Sequence, residues 1–98
     1  MTMNAKRSDV TPGEQACDFV LDILEKVVTN PEPLRAEHVF DKDRKITQIK
    51  IFSDHDDVGL IIGREGQNIA ALSRLLSMLG GKLKCKFSLG VDNPQNND

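Results

Sequence analysis

The chain has 98 residues, a net charge of −2, 39% hydrophobic and 29% charged residues, enough for one small domain with a modest core. No apolar run approaches the roughly 18 residues that span a bilayer. With no Trp, no Tyr and four Phe, the composition argues against a surface that stacks several bases on an aromatic sheet.

Met1 to Val10 is polar and lacks the hydrophobic stretch of a signal peptide. It reads as a disordered lead, residues 1–10, before one domain over 11–91. The segment Thr11-Pro12-Gly13-Glu14 holds an N-cap Thr, a Pro at the first helical position and a Glu placed for a capping box. Ala16, Phe19, Val20, Ile23, Leu24 and Val27 follow at helical spacing, with Asp18, Asp22, Glu25 and Lys26 on the other face. This predicts an amphipathic helix that stops at Asn30-Pro31. Leu34 to Phe40 reads as a strand and residues 41–44 as a polar turn. Lys45 to Phe52 reads as a second strand, with Thr47, Ile49 and Ile51 on one face and Gln48, Lys50 and Phe52 on the other. So short a turn makes the two an antiparallel hairpin.

Ser53 and Asp54 are N-cap candidates, with Asp56 and Asp57 in the first turn of a short helix. That helix runs through Val58, Leu60 and Ile61 and halts at Gly63. A second helix starts near Gly66, presents Ile69, Leu72, Leu75, Leu76 and Leu79 on its apolar face, and is expected to end at Gly80-Gly81. The stripe of Leu72, Leu75, Leu76 and Met78 reads as core packing, with a partner surface as the alternative. Lys82 to Leu89 alternates, with Leu83, Cys85, Phe87 and Leu89 on one face and Lys82, Lys84, Lys86 and Ser88 on the other, which predicts a half-buried strand. Residues 92–98 read as a disordered polar tail. The order is α-β-β-α-α-β, an α+β fold with helices packed on one face of a three-stranded sheet.

Charge is unevenly spread. Residues 1–43 hold five Lys/Arg against nine Asp/Glu, and residues 44–98 hold eight against six. Binding of a polyanion through one end of the molecule is compatible with this; strong non-specific binding is not. Cys17 and Cys85 are far apart and read as buried, reduced thiols. A disulfide, or a zinc site with His38 and His55, lacks the close-spaced ligand pairs of such sites. There is no nucleophile–base pair and no phosphate loop ending in Lys-Ser/Thr, so neither an enzyme nor a cofactor or metal site is expected.

The most informative stretch is Val58-Gly59-Leu60-Ile61-Ile62-Gly63-Arg64-Glu65-Gly66-Gln67-Asn68-Ile69. It describes a short helix, a turn bracketed by glycines, and a second helix. The glycines permit a sharp turn and a close backbone approach. The turn feeds a helix N-terminus, where unpaired N–H groups and the positive dipole end receive phosphate. Ile61-Ile62-Gly63-Arg64-Glu65-Gly66 followed by Ile69 resembles the I-I-G-x-x-G-x-x-I signature of KH domains. Gly59 to Leu72 resembles small stand-alone bacterial KH proteins and the KH domain of the Jag family. The element order resembles the type II KH arrangement, and the resemblance covers roughly residues 14–90.

The resemblance implies a cytoplasmic bacterial protein that holds about four nucleotides of single-stranded RNA in a groove, as a general or chaperone-like RNA-binding factor. It implies backbone contacts to phosphate at Gly63, Arg64, Glu65 and Gly66, with Gln67 and Asn68 beside them. Val58, Ile61, Ile62 and Ile69 are the candidate aliphatic floor, and Lys84 and Lys86 candidate extra phosphate contacts. It also implies a homodimer, or a heterodimer with a second KH or RNA-binding protein, and no membrane partner. Glu65 within the turn, and Asp54, Asp56 and Asp57 before it, oppose phosphate and point to modest affinity. Two alternatives stay open: a protein-interaction module with a KH fold and negligible RNA affinity, and single-stranded DNA binding in the same groove.

Overall fold

The computed structural model describes residues 10–93; most of the expected lead and tail lies outside them. Helix α1 spans Pro12–Leu24. The capping box forms as read: the Glu14 N–H donates to Thr11 Oγ1 at 3.2 Å, and the Thr11 N–H donates to Glu14 Oε1 at 3.0 Å. The helix ends earlier than its apolar stripe suggests. After Leu24 the chain tightens, the Lys26 N–H bonding to the Ile23 carbonyl and the Val27 N–H to the Leu24 carbonyl. The change of pitch turns Val27 outward at 54% exposure and brings Val28 in at 9%.

Strand β1 (Arg35–Asp41) pairs antiparallel with β2 (Ile46–Phe52), from Arg35 opposite Phe52 to Asp41 opposite Ile46. Strand β3 (Phe87–Val91) pairs parallel with β2, from Thr47 opposite Phe87 to Ile51 opposite Val91. The sheet order is β1-β2-β3. A parallel pair needs a long crossover, and helices α2 (Val58–Ile62) and α3 (Gln67–Leu83) supply it. This is the type II KH order. Thr47, Ile49 and Ile51 are buried on the inner face of β2, against Ala16, Val20 and Leu24 of α1, Ile61 of α2, and Leu72 and Leu76 of α3. Full burial of each such aliphatic side chain stabilises by about 1.5–3 kcal/mol, so β2 and the helix stripes define the core.

Several expectations need correction. Gly80-Gly81 does not end α3, which continues to Leu83 and closes at Lys84 in the left-handed conformation (φ 59). Residues 82–86 are therefore not strand, and β3 begins at Phe87. The apolar stripe of α3 also divides: Leu72 and Leu76 are buried, whereas Leu75 is exposed and Met78 is 72% exposed. Asp57, expected as an ordinary first-turn residue, is 1% exposed. Its two oxygens accept the Thr29 and Asn30 N–H groups at 2.8 and 3.0 Å. These bonds, that of Thr29 first, hold its carboxyl below the usual carboxylate range. They satisfy backbone donors just past α1 and tie that segment to the start of α2.

Asp92, assigned to the tail from sequence, continues the sheet: its N–H donates to the Ile51 carbonyl at 2.8 Å and its carboxylate lies 3.5 Å from Lys50 Nζ. Cys17 and Cys85 are free thiols, Cys17 buried as expected and Cys85 only half-buried, at the connection between α3 and β3. Burial, then the Asp18 and Glu14 carboxylates, push the Cys17 thiol up, which keeps it protonated and unreactive at neutral pH. Among the described residues no group of His, Cys, Asp and Glu is placed to hold a metal ion, and no helix is long and apolar enough to cross a membrane.

Candidate nucleic-acid interface

The turn between α2 and α3 is set by three residues of positive φ. Gly63 ends α2 at φ 79, ψ 170, and Gly66 precedes α3 at φ 76, ψ 17. Glu65 between them also lies at positive φ, 56. The Gly63 conformation is essentially restricted to glycine, and a Cβ there would sit 2.8 Å from the Asn68 backbone nitrogen. The helical turn Arg64–Gly66 closes through the Gly66 N–H to the Gly63 carbonyl at 3.1 Å. The Arg64 and Glu65 N–H groups lead that turn and have no carbonyl within it to bond. No side chain caps α3 at Gly66. The positive end of a 17-residue helix and two leading N–H groups therefore share one exposed corner.

The sequence-derived site residues separate into groups here. Gly63, Arg64, Glu65, Gly66 and Gln67 lie on the corner, with Arg64, Glu65 and Gln67 exposed. Asn68 has a structural task, its amide donating to the Leu60 carbonyl at 2.8 Å and so fastening the end of α2 to α3. Of the four floor candidates, Val58 and Ile61 are buried and present little surface. Ile62 and Ile69 are half-buried and are the two that retain apolar surface beside the turn. Lys84 and Lys86 lie past the opposite end of α3 and are not brought to the turn.

Two features went unread in the sequence. A cavity of about 460 Å³ beside the turn is lined by Glu65, Gln67 and Ala70 and by Arg74 one turn further along α3. Arg74 sets a cation in the same cavity as Glu65, and its spacing of four from Ala70 was available as a signal. An apolar groove of about 300 Å³ runs between the end of α1, α2 and α3, lined by Ile23, Val27, Leu60, Leu72 and Leu75. Its exposed members could not be told from core by periodicity alone, because a groove wall and a buried stripe share one spacing.

The KhpA/KhpB KH-domain family model matches residues 17–91. The chain is also similar to the RNA-binding protein KhpA of Mycobacterium leprae (strain TN), at 29% identity over 65 residues, which cover 66% of this chain and 79% of that protein. Residues 17–91, the span of the family model, contain the glycine turn, both of its helices and all three strands. The chain belongs to the KhpA/KhpB family of KH domains.

Proposed function

We propose that residues 11–91 bind single-stranded RNA, with phosphate received at the Gly63–Gly66 turn and bases resting on Ile62 and Ile69. The observation that carries this reading is the turn itself: two glycines at positive φ open an uncapped N-terminus of α3 at an exposed corner. Backbone donors and aliphatic floor residues do not single out a base, so the reading is of a sequence-tolerant, chaperone-like binder of about four nucleotides at this turn. The relative named as an RNA-binding protein supports RNA as the ligand. Binding and release leave the RNA unchanged, in the cytoplasm, with no cofactor. Arg64 adds attraction and Glu65 opposes it, which sets modest affinity.

The test is a titration of short RNA against the wild type and against Arg64→Asp with Glu65→Asp, monitored by chemical shifts. The expected result is shifts clustered on residues 61–69 in the wild type and lost binding in the variant, with circular dichroism unchanged. Equal binding by both proteins sinks the reading. Competition with DNA of the same sequence decides whether the 2′-hydroxyl matters.

A second reading has its own observation. The apolar groove with exposed Val27, Leu60 and Leu75 is the surface of a protein-interaction module, pairing with another copy or with a second KH protein. Light scattering with and without RNA separates it: a dimer that binds no RNA at low salt favours this reading alone.

A further inference from the structure

We infer that the far end of the sheet is a second RNA subsite, formed by Phe40, Arg44, Lys45, Lys84 and Lys86, which receives the strand beyond the glycine turn. The inference rests on the RNA-binding reading above. These side chains line a cavity of about 500 Å³ with Thr47. They come from the end of β1, the hairpin turn and the lead into β3. Parallel pairing joins the segments, since the Thr47 N–H donates to the Lys86 carbonyl at 2.9 Å.

Three observations identify the ligand as a single-stranded polyanion. First, four cations and no carboxylate line the cavity, and among the described residues none of the four is in an ion pair. Asp41, nearby in the hairpin, has Oδ1 occupied by the Asp43 and Arg44 N–H groups at 3.0 and 3.2 Å. Second, Lys45 and Lys84 both lie at positive φ, 57 and 59; Glu65 of the glycine turn is the third such non-glycine residue described. Both are turn positions, Lys45 at the close of the hairpin turn and Lys84 at the end of α3, and each holds a lysine where glycine or asparagine is the usual choice. Third, Phe40 on the cavity wall is 58% exposed. Cations that track phosphate beside an exposed ring for base stacking are the two parts of a single-strand site.

Distance fixes how the two sites are shared. Helix α3, with its 17 residues, separates them, which is about 25 Å or roughly seven stacked nucleotide steps. Four nucleotides at the turn do not reach the cluster; about twelve do. A chain of net charge −2 thus gathers affinity for longer strands by concentrating cations at this end.

The test measures fluorescence anisotropy of a 4-mer and a 12-mer oligo-U RNA across salt. Wild type is compared with Arg44→Gln plus Lys45→Asn, Asn being tolerant of positive φ. The 12-mer is expected to bind roughly tenfold more weakly to the variant at low salt, with a salt slope shallower by about 1.4, or 0.7 per cation. The 4-mer is expected to bind as before. Phe40→Leu is expected to weaken the 12-mer severalfold and leave the slope unchanged. Unchanged 12-mer affinity and slope in the double variant overturn the subsite and leave the cluster to an acidic protein. Equal losses for both lengths also overturn it. Loss of 12-mer binding in this variant, with none in Arg64→Asp plus Glu65→Asp, supports the cluster and sinks the turn reading alone.

Discussion

Helix α3 carries a glycine pair at each end, and the two pairs act in opposite ways. Gly63 and Gly66 both sit at positive φ and break the helical path, which opens the corner proposed to receive phosphate. Gly80 and Gly81 are helical, and α3 runs through them to Leu83. A Cβ on Gly80 would lie 2.6 Å from the Cys85 carbonyl oxygen and 3.4 Å from the Phe87 ring, whereas a Cβ on Gly81 would meet nothing within 4 Å. Glycine supplies conformation at the first pair and space at the second, within which only Gly80 is constrained. The left-handed residue that ends α3 is Lys84, whose N–H closes on the Gly80 carbonyl together with that of Cys85.

The contrast breaks first at Gly63. Gly63→Ala must hold a glycine-only conformation and press on the Asn68 backbone, a loss of about 3 kcal/mol in urea unfolding. RNA affinity is expected to fall with it. Gly80→Ala gains about 1 kcal/mol of helix propensity, but its methyl meets a backbone oxygen that cannot swing aside. The net expectation is a loss of about 1–2 kcal/mol, with RNA binding at the turn retained. A neutral Gly80→Ala would show that the α3–β3 connection has room to shift.

The same contrast explains what the sequence made legible. The capping box at Thr11 and Glu14, the alternation along Thr47, Ile49 and Ile51, and the glycine turn are local patterns, and each formed as read. The end of α3 was misplaced because a glycine pair after an apolar stripe looks like a stop signal. Gly80 is instead required by a chain segment that returns to it from Cys85, a contact with no local mark. Alternation through Leu83 and Cys85 then passed for strand, because the last turn of α3 and the lead into β3 happen to alternate in exposure. The tie from Asp57 to Thr29 and Asn30 spans 28 and 27 residues, so spacing could not reveal it. Arg44 and Lys45 meet Lys84 and Lys86 only through the parallel β2–β3 pairing, which is equally non-local. At the candidate site, the turn was legible, while burial removed Val58 and Ile61 from its floor.

Gly81→Ala sharpens the comparison from the other side. One residue from Gly80, with open space around it and helical backbone, it is expected to stabilise the protein by about 1 kcal/mol. Thermal unfolding of the two single variants should therefore move in opposite directions. Equal shifts would mean that these adjacent positions of α3 do not differ in packing as the geometry requires.

The last and smallest effect concerns the other junction of the turn unit, where Asp57 ties the start of α2 to the segment that follows α1. The Thr29 N–H first, and then the Asn30 N–H, hold its folded carboxyl below the usual carboxylate range. A depressed carboxyl contributes its stability in full above the unfolded pKa of about 3.9 and loses it as pH falls through the folded pKa. Stability from this group is thus flat across the neutral range and declines only in acid. Asp57→Asn keeps the shape, but an amide can accept only one of the two N–H groups and sets its own NH2 against the other. The variant is expected to melt below wild type at pH 7, and the gap should narrow as pH falls below about 4. A variant that melts with wild type at pH 7 would mean that the carboxylate's charge contributes nothing and that its shape alone fills the site. That outcome would leave Gly63, and not Asp57, as the residue that sets how α2 meets the turn.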